Sequence, residues 1–224
     1  MCVYIDRGGR SAMAQAAQPN KNPPEDRPRP RNVSREEALK LEGYRHACHV
    51  MLYAPTTAKL FDRVPIRYIV LMMMRFDGRL GFPGGFVDLR DCSLEDGLNR
   101  ELLEEMGPYF NTLKVTEQDY KSSQVREIPQ KAVTHFFAKE LKVEEMESIE
   151  KEAVHAKDHG LEVMGIIRVP LYTLRDGFGG LPAFLSNNFI GNSKSQLLYG
   201  LRSLRLLRED HIQDAIWSSQ NIQF

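Results

Sequence analysis

Four stretches of the chain, 46–54, 66–75, 132–141 and 161–169, concentrate β-branched, aromatic and other apolar residues over strand-sized lengths. Between and after them the apolar spacing lengthens to that of helices. One helix is predicted over 94–106, with Ser93 as N-cap and Gly107 as stop; a second runs over 143–156, with Glu144 and Glu145 at its start; a third covers 194–207. Ser34 followed by Glu37 reads as a capping box opening a short helix. Strands and helices interleave without strict alternation and no internal repeat is visible. The pattern therefore predicts an α/β/α sandwich, a central mixed sheet with helices on both faces.

Before Ser34 the pattern fails. Residues 1–32 are polar and carry Pro19, Pro23, Pro24, Pro28 and Pro30 with no apolar period, which predicts a disordered extension. A second methionine, Met13, lies inside it, so the choice of start codon bears on its length. The ordered domain is expected over 33–210, with 211–224 as a C-terminal tail.

Composition narrows the class. With 224 residues, 42% hydrophobic and 27% charged, the chain can bury one sizeable core. Its longest apolar run, 68–74, is too short for a bilayer and no secretory core precedes it, so no membrane partner and an intracellular location are expected. The three cysteines, Cys2, Cys48 and Cys92, fit free thiols. Lys plus Arg and Asp plus Glu both number 30, so bulk charge does not argue for nucleic acid. The best local patch is Lys194, Arg202, Arg205 and Arg208, and a basic stripe of this kind is more often a solvated helix face.

The chemistry concentrates behind a glycine turn. Gly84-Gly85-Phe86-Val87-Asp88 precedes a helix carrying Arg100-Glu101-Leu102-Leu103-Glu104-Glu105-Met106-Gly107. Residues three and four apart share a helix face, so Glu101, Glu104 and Glu105 are expected to project together, with Arg100 bracing Glu104. Crowded carboxylates call for a cation, and oxygen ligands favour Mg²⁺ or Mn²⁺, with Co²⁺ as a further candidate. Such a site points to hydrolysis of a phosphate compound. An acidic helix face taken alone is more often solvated surface; the flanking glycines reverse that weighting here.

This run resembles the Nudix box, the signature of hydrolases that cleave nucleoside diphosphates linked to another group. Asp91 stands where the box has glutamate, and one extra residue separates it from Arg100, so the salt bridge of that position is not carried over. Likeness extends through 43–53, 65–105, 157–185 and 188–196 to a Nudix subgroup that removes the cap of small nucleolar RNA and hydrolyses inosine diphosphates. The resemblance implies the Nudix fold, and metal ligation by Glu101, Glu104, Glu105 and the Gly84 carbonyl. It further implies substrate contacts by His49, Arg75, Phe82 and Gln196: Phe82 to stack a base, His49 and Gln196 to meet base edges, Arg75 to hold a phosphate. Taken alone, Phe82 suits a core and His49 a satisfied buried histidine. The 72–74 methionines, His135, His155 and His159 default to structure.

Glu104, Glu105 and Glu162 are the candidate proton acceptors, Glu105 being the one expected to be indispensable. Gln124 replaces a histidine carried by relatives, so no role of that histidine transfers. The implied partners are capped RNA such as snoRNA, inosine diphosphates and a second copy in a homodimer; the implied location is nuclear and nucleolar, extending to nucleoplasm and cytoplasm. Two alternatives stand beside this reading. One is a catalytically weak homologue that binds RNA and protein; the other is a hydrolase acting mainly on free nucleotides or ADP-ribose.

Overall fold

A computed structural model describes residues 30–127 and 130–221. Residues 1–29 of the extension and 222–224 of the expected tail lie outside the described residues. In chain order the elements are β1 (Arg31–Val33), α1 (Arg35–Leu39), β2 (Arg45–Pro55), β3 (Lys59–Leu60), β4 (Val64–Pro65), β5 (Tyr68–Arg75), β6 (Leu80–Gly81) and β7 (Gly84–Phe86). They continue with α2 (Leu94–Met106), β8 (Tyr120–Arg126), β9 (Ala132–Glu140), α3 (Val143–Glu152), β10 (Val163–Arg168), α4 (Leu181–Leu185), α5 (Ser193–Ser203) and α6 (Glu209–Gln220).

The main sheet runs β1-β8-β9-β2-β5-β10, with β6 attached to β5 and β7 to β2. β2 and β9 are parallel over the whole length from Arg45↔Ala132 to Tyr53↔Glu140, and the other pairs are antiparallel. The sheet is thus mixed, as its interleaved elements predict.

Strand residues alternate between faces, and here both faces are covered. Cys48, Val50 and Leu52 of β2 point into one core with Leu98, Leu102 and Met106 of α2 and Met146 and Ile149 of α3. Met51 and Tyr53 point into the other, against Leu197 and Leu201 of α5 and Ile212 and Ala215 of α6. Met72 and Met73 are buried on opposite faces, so two of the three consecutive methionines serve two cores. Among the described residues no helix is long and apolar enough to cross a membrane.

Several boundaries differ from expectation. The sheet already includes Arg31–Val33, ahead of the expected start at 33, because β1 pairs with β8 through Arg31↔Val125 to Val33↔Ser123. A limit at 210 would cut α6, whose Ile212 and Ala215 are buried. The helix predicted over 143–156 ends at Glu152 and tightens into a 3₁₀ turn over Ala153–His155. β10 begins at Val163, leaving Leu161 and Glu162 in a turn.

Candidate active site

α2 is fixed at its start by Ser93, whose Oγ accepts the Asp96 N–H at 3.0 Å, and by a buried stripe of Leu94, Leu98, Leu102 and Met106 spaced four apart. That stripe settles which way the carboxylates face. Glu105, only 5% exposed, accepts the Gly84 N–H at 2.7 Å through Oε2. Gly84 sits at φ +120°, and a Cβ there would stand 2.1 Å from the Cys48 carbonyl oxygen. At Gly85 a Cβ would stand 2.6 Å from Glu101 Oε2. The glycine pair is therefore the room in which two carboxylates approach the backbone.

Burial pushes Glu105 up to about 8, against the Gly84 hydrogen bond that favours its anion. Burial also raises Glu101, with Arg100 opposing, and Glu104 and Asp158 add repulsion. Among the described residues no three His, Cys, Asp or Glu side chains are already arranged around an ion position. The donor chemistry still fits a hard cation: carboxylates that raise one another's pKa in a buried setting are what a divalent ion relieves. The Glu104 carboxylate is held by Lys157 at 3.0 Å, a side chain 68% exposed and free to yield.

Two sequence expectations are corrected by Arg100. Its Nε and Nη2 reach Asp91 at 3.2 and 3.0 Å, Nη1 reaches Glu101 at 2.8 Å and Nη2 also donates to the Phe86 carbonyl at 3.0 Å. The extra residue is absorbed by a turn in which Asp91 accepts the Asp88 N–H at 2.7 Å, so the salt bridge forms despite the altered spacing. Arg100 braces Glu101 and the loop, and Lys157 takes the place beside Glu104. Asp91 is held below the usual carboxylate range chiefly by this arginine.

Glu162 is exposed, and its side chain makes no hydrogen bond or ion pair among the described residues. Its backbone ties the site together: its N–H donates to the Asp158 carbonyl, its own carbonyl accepts the Phe76 N–H, and the Asp158 N–H donates to the Glu104 carbonyl, each at 3.0 Å. Asp158, which no sequence pattern singles out, is thereby carried up to the acidic face.

Of the expected substrate residues, His49 and Arg75 lie beside this face, and Gln196 lies on α5. His49 pairs in register with Gly84 on β7 and with Phe136 on β9. Burial, and then the positive charge of Arg75, lower it to about 4, so it is neutral near pH 7. Arg75 acts on Glu105 as well, favouring its anion. Three buried side-chain atoms lack a hydrogen-bond partner among the described residues: His49 Nδ1, Arg75 Nε and Gln196 Oε1. Buried polar groups are normally paired, so His49 Nδ1 and Gln196 Oε1 each ask for a partner, whereas Arg75 Nε already has the Asp77 carboxylate at 3.6 Å.

Gln196 and Phe136 line a cavity of about 470 Å³, a size suited to a small ligand, together with Arg35, Ser122, Gln124 and Tyr199. Gln124 bridges its rim: Oε1 accepts from Asn192 Nδ2 at 2.8 Å and Nε2 donates to Asn32 Oδ1 at 3.0 Å. Asn192 in turn accepts the Gln196 N–H on its carbonyl at 2.9 Å. Phe82 does not present the open ring expected of a stacking platform. It is 2% exposed and tilts against Phe136 at 5.5 Å, because residue 82 falls inside the α5-side core. Three of the four members of the basic stripe are engaged locally: Lys194 donates to the Leu185 carbonyl, Arg202 pairs with Glu209 and Arg208 with Asp210.

Residues 46–207 match the family described as "Nudt16-like: U8 snoRNA-decapping enzyme-like". A U8 snoRNA-decapping enzyme from Xenopus laevis is 72% identical over 212 residues, 95% of this chain and 100% of that protein. The Tudor-interacting repair regulator protein of Homo sapiens is 50% identical over 84% of this chain and 88% of its own length. Among solved structures, the NUDIX domain of Shewanella oneidensis NrtR complexed with ADP ribose aligns over 78% of this chain and 100% of that chain, at 18% identity and a TM-score of 0.47. With the glycine turn and the acidic helix of the motif in place, the family match over residues 46–207 and the 72% identical decapping relative along 95% of its length, the chain belongs to the Nudt16-like family and is a Nudix hydrolase.

Proposed function

We propose that the protein removes the 5′ cap of RNA, snoRNA among its substrates, by hydrolysing a phosphoanhydride bond of the cap, and that the same site converts inosine and deoxyinosine diphosphates to monophosphates. The observation that carries this reading is the pair of unpartnered buried atoms, His49 Nδ1 beside Gly84 and Gln196 Oε1 at the cavity, with the Arg75 guanidinium acting on both His49 and Glu105. A base edge supplies the donors and acceptors that His49 and Gln196 lack, and a phosphate oxygen suits the Arg75 guanidinium. Relatives named as decapping enzymes support RNA as the physiological class.

Nudix hydrolases generally use divalent metals. Glu101, Glu104, Glu105 and the Gly84 carbonyl would hold Mg²⁺ or Mn²⁺, which when bound neutralises the diphosphate charge. With a cation beside it to favour its anion, against the value that burial raises to about 8, Glu105 offers the better proton acceptor. Its Oε2 is committed to Gly84, which leaves Oε1 to take a proton from water as the water oxygen attacks phosphorus and the bond to the bridging oxygen breaks. Arg75 steadies the departing phosphate. The products are a nucleotide and a 5′-monophosphorylated RNA, or inosine monophosphate and phosphate. Homodimer formation and a nuclear, nucleolar site of action complete the proposal on family grounds.

The test is hydrolysis of a capped RNA and of inosine diphosphate in parallel with Mg²⁺ or Mn²⁺. Release of both monophosphate products is expected, and the two kcat/KM values rank the substrates. RNA binding with no hydrolysis under any of these metals would overturn the reading in favour of a binding protein, the role that the name of the Tudor-interacting relatives suggests for them.

A further inference from the structure

β3 and β4 form a separate two-stranded ribbon between the end of β2 and the start of β5. Its turn is closed by the Arg63 N–H donating to the Leu60 carbonyl at 3.1 Å, around Phe61 and Asp62 at φ +51° and +55°. Positive φ at both central positions is the type I′ pattern, which asparagine followed by glycine satisfies best. Aspartate tolerates the left-handed region; phenylalanine adopts it only under strain. Arg67, seven positions beyond Leu60, is also left-handed at φ +68°. Three of the four non-glycine residues with positive φ among the described residues thus fall within 61–67.

What the strain displays is a phenyl ring 76% exposed at the hairpin tip. Lys59 and Arg63 flank it in the hairpin and Arg67 follows at the hairpin base, all exposed and none in an ion pair among the described residues, against the single carboxylate of Asp62. Below the tip a cavity of about 430 Å³ is walled by Pro65, Arg67, Tyr172, Pro182 and His211. The Phe61 ring itself stays open to solvent, so folding does not explain an aromatic residue in a backbone conformation it disfavours. A ring set among uncommitted cations is the combination that takes unpaired bases and their phosphates.

The geometry points to this hairpin as a docking site for a single-stranded stretch of the RNA beyond the cap, with Phe61 stacking on a base and Lys59, Arg63 and Arg67 meeting phosphates. The inference rests on the proposed RNA substrate. Along β2 the hairpin base at Pro55 lies six residues, about 20 Å, from His49, so only an RNA long enough to span that distance reaches it.

Phe61→Ala is expected to weaken binding of such an RNA about tenfold, and to lower its decapping in kcat/KM to match, while leaving hydrolysis of a cap dinucleotide unchanged. Replacing Lys59, Arg63 and Arg67 together by Gln should flatten the dependence of log Kd on log salt by roughly 0.7 for each phosphate that is no longer neutralised. A second variant, Phe61→Asn with Asp62→Gly, supplies the residues the turn prefers: its Tm should rise while RNA affinity falls, a combination that a purely structural Phe61 would not give. Unchanged RNA affinity in both Phe61 variants would overturn the inference, whether or not the tip then proved to bind a protein. Because affinity is read separately from turnover, failure of the decapping proposal would show as inert wild type and leave the binding result legible.

Discussion

Gly84 and Glu105 act as one unit. The carboxylate can lie buried because a backbone N–H meets it, and that N–H is in reach because Gly84 adopts a conformation closed to other residues. Gly84→Ala should therefore cost about 3 kcal/mol or more, since strain at positive φ is compounded by a clash with the Cys48 carbonyl that no rotamer relieves. Urea denaturation measures it, and a change under about 1 kcal/mol would mean the loop relaxes easily. The acidic residues and the glycine pair were legible in the sequence because their chemistry is unambiguous. The Arg100–Asp91 bridge was not, since one added residue breaks the motif's spacing while a turn around Asp88 restores the geometry. At Phe82 the residue taken alone suits a core and only the resemblance implies a stacking platform; its burial agrees with the first.

At the scale of elements, α5 is positioned by polar contacts at its N-terminus as well as by Leu197 and Leu201 beneath it. Gln124 clasps Asn192, which caps the turn bearing Gln196. Loss of that clasp in Gln124→Ala is expected to raise KM about tenfold, from hydrogen bonds of about 1 kcal/mol each, and to leave kcat nearly unchanged because the acidic helix is untouched. A fall in kcat with constant KM would contradict this. β8, which carries Gln124, was not legible: Lys121, Ser122, Ser123 and Gln124 make it polar on both faces, and it becomes a strand by pairing with β9 and β1. The four apolar strands and α2 were legible because burial on one or both faces writes itself into composition. α6 was not, because only Ile212 and Ala215 of its residues are buried.

Across the whole molecule, the sheet seals a polar chain inside one layer. His46 Nδ1 lies 2.8 Å from His135 Nε2, His135 Nδ1 lies 2.7 Å from Ser123 Oγ, and Ser123 Oγ lies 2.7 Å from the Tyr120 hydroxyl. His135 is fully buried, and burial, with smaller effects from His46, Arg35 and His49, lowers it to about 3. Unfolded, it titrates near 6.5. Between those values the unfolded chain binds the extra proton, so stability falls as pH drops from 6.5 toward 3, by at most about 1.4 kcal/mol per pH unit for this residue. Above 6.5 the histidine is neutral in both states and contributes no slope. Urea midpoints against pH should show this acid limb in the wild type and a shallower one in His135→Gln; identical slopes would mean His135 is protonated in the fold.

The most direct measurement of the central claim, that the Gly84–Glu105 unit is where capped RNA is hydrolysed, is single-turnover decapping by the wild type and by Glu105→Gln, with Mg²⁺ present and thermal melts run on both. Glutamine keeps an oxygen for the Gly84 N–H, so a near-native Tm is expected, together with a loss of at least about 100-fold in rate and little change in RNA affinity. A folded Glu105→Gln protein that removes the cap at the wild-type rate would contradict the account.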